Sequence, residues 1–179
     1  MTAARAFVIC RRRSVEKGEP MPDDVSIARA LHVLGVVLWI GGVAFVTMVL
    51  LPAVRRMKTP EERVAFFEDI EGRFAAVARW ATVLVGLSGL YIIYVWDMWY
   101  RFLVPSNFWM HLMVLVWAVF TVMLFIAEPL FLHRWFQERA KTHPEQTFRI
   151  IQRMHWVLLS ISLITVAAAT AGSHGGFSF

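Results

Sequence analysis

The chain has 179 residues, 58% of them hydrophobic and 17% charged, with a formal net charge of +5. That composition excludes an ordinary soluble domain, and the single cysteine, Cys10, excludes a disulfide framework or a thiolate metal cage within one chain. In so apolar a chain the basic excess reports membrane topology and not nucleic-acid binding.

Residues 1–24 read as a flexible N-terminal tail carrying "RRR" at 11–13. No separate short apolar region with a cleavage site precedes the first helix, so the tail does not read as a signal peptide. Met21 offers an alternative, more compact start. Four apolar runs follow, at about 25–52, 76–97, 107–132 and 154–175, each long enough to cross a bilayer as a helix, which takes roughly 20 residues. They lack the alternation of barrel strands, and lipid admits only helices or closed barrels. The fold class is therefore all-α: an integral membrane four-helix bundle over 25–176, with a short C-terminal tail at 177–179.

Asp23 and Asp24 favour a helix start, and the first run ends near Pro52. After it, Thr59, Pro60 and Glu62 supply a cap, an N1 proline and a capping-box glutamate. Val64, Phe67, Ile70, Phe74 and Val77 recur at helical spacing, predicting an amphipathic stretch that leads into the second run and lies at the membrane surface or against the bundle. The third run carries Pro129, and a second basic loop precedes the fourth.

"KTPEER" (58–63) is echoed by "KTHPEQ" (141–146). His32 lies 20 residues before Pro52, and His111 lies 18 before Pro129. The pattern reads as two related helical hairpins, or as shared helix-start chemistry that repeats without common ancestry. Parallel repeats are a known membrane architecture.

One side of the bundle gathers eleven basic residues: Arg55, Arg56, Lys58, Arg63, Arg73, Arg79, Arg134, Arg139, Lys141, Arg149 and Arg153. The other has seven: Arg5, Arg11, Arg12, Arg13, Lys17, Arg29 and Arg101. The positive-inside rule places the two long loops in the cytoplasm and both termini outside, as for a multi-pass protein of a bacterial-type inner membrane. Trp80, Trp135 and Trp156 then form an inner aromatic belt, and Trp96, Trp99, Tyr100 and Trp109 an outer one.

Within the apolar runs the histidines stand out. His32 and His111 lie on helices of the same direction, at depths that agree within about a turn at roughly 1.5 Å per residue. In an up-down bundle those helices are diagonal, so two imidazoles at one level are able to face each other as axial ligands of a b-type haem. The same pair would suit copper, with Met48, Met110 or Met113 as soft ligands. Taken singly, either histidine is explained by hydrogen bonding to a neighbouring helix. Arg29 is placed to hold a haem propionate or to snorkel outward, and Trp39 and Trp117 lie deeper beside the candidate cofactor. His174 reads as a frayed-end residue or a third outer ligand. His133 and His155 read as interfacial or as a second cofactor pair, and His143 as exposed. Glu128 is the acid set within an apolar run: it pairs with Arg79, Arg134 or His155, or serves as a proton relay near a quinone or substrate cavity. The glycines of "WIGGVAF" (39–45) and "GLSGL" (86–90), with "AAATAGS" (167–173), form small-residue surfaces for helix packing, and an exposed one would allow a homodimer. Gly35 and Gly42 share a side with His32 and would also clear space for a macrocycle.

"ALHVLGVVLWIGGVAFVTMVLLP" (30–52) resembles the first helix of the copper-resistance-D superfamily of small helical membrane proteins, which includes the bacterial membrane protoporphyrinogen oxidases. "FWMHLMVLVW" (108–117) is similar to their Trp-x-His-x-Lys pattern, with Met113 where that pattern has lysine. The resemblance implies a compact haem-binding or copper-handling membrane protein with His32 and His111 as ligands. The missing lysine separates the chain from porphyrinogen oxidation. The resulting expectation is a b-type haem protein passing electrons between a membrane quinol and an outer-side redox partner. The alternatives are a copper-binding or copper-transport protein and a non-catalytic membrane subunit.

Overall fold

The structure, a computed structural model, describes residues 22–57, 59–174 and 176. Cys10, the arginines at 11–13 and most of the N-terminal tail expected over 1–24 lie outside the described residues, as does the tail at 177–179. The described residues form helices and turns: α1 (Pro22–Phe45), a π-helical stretch (Val46–Leu50), α2 (Leu51–Val54), α3 (Pro60–Val95), two 3-10 turns (Met98–Leu103 and Pro105–Asn107), α4 (Phe108–Val122), a second π-helical stretch (Met123–Leu132), α5 (His133–Thr142) and α6 (Pro144–Ser173). Four rods result, spanning Asp23–Val54, Glu62–Val95, Pro105–Leu132 and Pro144–Ser173, each long and apolar enough to cross a bilayer. The chain is an all-α, multi-pass membrane four-helix bundle.

The amphipathic stretch after Thr59 is continuous with the second rod. Thr59 is extended, and its hydroxyl accepts the Glu62 N–H at 3.3 Å, which starts α3. Its buried face carries Phe67, Ala75, Ala78 and Ala81, while Val77 points outward. The second basic loop is mostly helical, as α5 and the first turns of α6. α1 packs most extensively on α3, and α4 on α6; contacts of α1 with α6 and of α3 with α4 close the ring. The first and third rods are therefore diagonal, and they meet across the core where Trp39 stands edge-on to Phe120, ring centroids 4.8 Å apart.

Two apolar clusters fill the interior. At the end bearing the basic loops, Phe67, Phe136 and Phe148 pack mutually in edge-on and tilted contacts, centroids 5.4–5.8 Å apart, with Leu50, Leu51, Val54 and Ile151 around them. Mid-bundle, Trp39, Val43, Ala81, Val85, Val116, Phe120 and Leu159 pack together. Around this core an unusually apolar surface faces outward, with Val37, Leu38, Leu87, Leu115 and Ile164 all exposed. For a soluble protein that surface would be an aggregation hazard; for a bilayer protein it is the lipid contact.

Pro52 follows the first π-helical stretch and Pro129 lies inside the second, and the backbone accounting explains why. In the first π stretch the Leu51 N–H bonds to the Val46 carbonyl, five residues back. The Thr47 carbonyl would accept next from residue 52, but that residue is Pro52, which has no N–H. Gln152 of α6 supplies the donor instead, its Nε2 lying 2.8 Å from the Thr47 oxygen. In the second stretch the carbonyl five residues before Pro129 belongs to Leu124, and Arg79 Nε of α3 donates to it at 3.1 Å. Each orphaned carbonyl, costly if left unpaired in lipid, is satisfied by a side chain from another rod.

Candidate functional sites

At the end away from the basic loops, His32 lies on the inward stripe of α1 defined by Val25, Ala28, Trp39 and Val43. Its Nδ1 is 3.0 Å from the Val85 carbonyl oxygen and 3.2 Å from Ser88 Oγ. A carbonyl only accepts, and the Ser88 hydroxyl already donates to the Leu84 carbonyl at 2.6 Å. Nδ1 must therefore carry the proton, and in the neutral ring Nε2 keeps its lone pair. Gly89 permits the approach: a Cβ there would come within 3.1 Å of His32 Cε1.

His111 has different surroundings. The buried residues of α4 are Trp109, Met110, Val116 and Phe120. His111 is exposed, its ring edge-on to Phe102 of the first 3-10 turn with centroids 5.3 Å apart. The two imidazoles have no described partner in common. Trp109, expected in the outer belt, is buried, with Gly172 leaving room for its indole. The Arg29 guanidinium stacks 4.8 Å above Trp96. Trp39 is buried with its indole nitrogen unpartnered, and Trp117 donates from Nε1 to the Thr82 carbonyl at 2.9 Å. His174 is exposed, with Nδ1 2.8 Å from the Thr170 carbonyl, a local helix-end contact. The glycine notches are filled from within: Phe74 occupies the space at Gly42, Val85 that at Gly35 and Trp117 that at Gly86.

At the opposite end lies a cavity of about 420 Å³ between α3, the second π stretch, α5 and α6. Its walls are mostly apolar and aromatic, and its ionisable side chains are Glu71, Glu128 and His155. Glu128 is ion-paired to Arg79, one of the partners its position allowed. His155 places Nδ1 3.0 Å from the Ile151 carbonyl, so that nitrogen is the donor and Nε2 the acceptor. Glu71 escapes a reading by hydropathy because it sits in the polar half of α3. The signal was its register: Phe67, Glu71, Phe74 and Ala78 follow helical spacing on one face. The side chain of His133, the other member of the pair expected with His155, lies outside the described part of the structure. Among the described residues no group of three or more His, Cys, Asp or Glu side chains is arranged to hold a metal ion.

Comparison with known protein families, with curated proteins and with solved structures finds no match to this chain.

Proposed function

We propose that the chain is a b-type haem membrane protein of electron transfer, with His32 as an axial ligand. The observation that carries this reading is the donation of the His32 Nδ1 proton to the Val85 carbonyl inside the bundle. Histidine ligands are commonly held in this way: the second nitrogen is fixed by a backbone oxygen and the first is presented to the metal. His32 thus fits an axial ligand. His111, on the exposed side of α4, serves in this reading as the second ligand from the same end, and its ring has to leave Phe102 to do so. Haem would supply the one-electron chemistry. The chain supplies the orienting hydrogen bond of His32, the apolar surroundings and the Arg29 cation at the same end. A membrane quinol is the donor in this reading, and a redox partner on the outer side is the acceptor. The basic loops face the cytoplasm, as expected for the inner membrane of a bacterial-type cell.

The test is a reduced-minus-oxidised visible spectrum of the protein purified in detergent after growth with ample haem. Sharp haem bands are expected, lost in His32→Ala. In His111→Ala the haem should stay bound but become five-coordinate and open to carbon monoxide. Colourless wild-type protein would overturn the reading.

A further inference from the structure

The cavity at the basic-loop end holds an acid, Glu71, for which the described residues provide no ion pair. Glu71 and Glu128 both line it, and Glu68 lies three residues before Glu71 on α3. Against these three acids the described ion pairs set one base, Arg79, which is bound to Glu128. Glu71 has no ion pair or hydrogen bond among the described residues, and Glu68 Oε1 is buried without a partner. His155 gives its Nδ1 proton to a backbone carbonyl and offers only a lone pair towards neighbours. The rest of the wall is aromatic and aliphatic, with Phe67, Phe131, Trp135 and Phe136 lining the same cavity as Glu71 and Glu128. Negative charge in a mostly apolar cage of this size fits an apolar body with a positive centre. The carboxylate supplies counter-charge, and ring faces attract a cation that sheds its water easily. A hard metal ion would need more oxygen ligands than converge here.

We infer that this cavity binds a lipophilic organic cation, with Glu71 as its counter-charge and the surrounding aromatic rings as its cage. The site lies at the opposite end from His32 and does not depend on the haem reading. Entry from the bilayer suits its position, because Phe131 on the cavity wall is largely exposed on the apolar surface.

Tetraphenylphosphonium is the probe, added to the full chain in a neutral maltoside detergent and followed by equilibrium dialysis against protein-free micelles. Saturable binding is expected, with little binding of the uncharged triphenylphosphine oxide. Glu71→Gln, close to isosteric, should weaken binding at least tenfold, and Glu71→Asp should recover part of it. Phe131→Ala, at an exposed position where the fold is not at risk, should weaken binding severalfold. Binding no greater than that of empty micelles overturns the proposal. So does equal binding of the neutral compound, or full affinity in Glu71→Gln.

Discussion

Gly41 and Gly42 are neighbours in α1, yet a methyl group added at each meets opposite surroundings. At Gly41 nothing lies within 4 Å, whereas at Gly42 a Cβ would lie 1.9 Å from a ring carbon of Phe74. Phe74 is held between both core clusters and has little freedom to withdraw. Gly42→Ala should therefore cost about 1–3 kcal/mol through overpacking. Gly41→Ala should leave stability unchanged or raise it by up to about 1 kcal/mol, since alanine is the better helix former. Thermal unfolding in detergent checks both, and equal effects would count against the packing described. "WIGG" in the sequence announced a close approach of helices without saying which glycine faced the partner. The same ambiguity governs the histidines. Their depth is a property of position along the chain and could be read. Their side of the helix depends on which of Trp109, Met110 and His111 turns inward, and large apolar neighbours decided that in favour of the first two.

Pro52 was read as the end of the first run and Pro129 as a residue of the third, but the π-helical turns at them were not legible, because no residue type marks a π turn. The consequence, an acceptor without an N–H five residues before each proline, appears only once the backbone is accounted for. If Gln152 exists to satisfy the Thr47 carbonyl, Gln152→Leu should destabilise the bundle by about 1–3 kcal/mol, the cost of one buried unsatisfied group. Pro52→Ala restores an N–H at the position the π turn needs, so the double variant Pro52→Ala/Gln152→Leu should lose less than the sum of the two singles. Unfolding by sodium dodecyl sulfate in mixed micelles gives the four stabilities of the cycle, and strict additivity would refute the explanation. Arg79 carries two duties, donating to the Leu124 carbonyl and neutralising Glu128. Arg79→Met should accordingly be more damaging than the double variant Arg79→Met/Glu128→Leu, which removes the stranded carboxylate along with its partner. The sequence offered Glu128 three partners, and only the packing of α3 against the second π stretch chose among them.

The four-rod plan, its diagonal first and third helices and its apolar exterior follow from hydropathy and run length, properties that survive any detail of packing. The two proline devices share one feature: the return helix of each half supplies a donor to the first helix of the other. The registers differ, however: Arg79 lies 19 residues beyond the α3 opening Pro60, and Gln152 eight beyond Pro144. The cavity was illegible because it needs Glu71, Glu128 and His155 from three rods brought to one level. Orientation in the bilayer is a property of the entire chain and rests on its charge distribution. Along the sequence, eleven basic residues fall in or beside the two long connections against seven in the N-terminal segment and the remaining connection, the three arginines at 11–13 among the seven. In a Cys10→Ser background, Ser173→Cys and Glu138→Cys place single exposed thiols at opposite ends of the bundle. A membrane-impermeant maleimide applied to intact spheroplasts should label Ser173→Cys and reach Glu138→Cys only after lysis. The reverse pattern would mean that the N-terminal arginines set the topology, and the cation-binding cavity would then open towards the outer face.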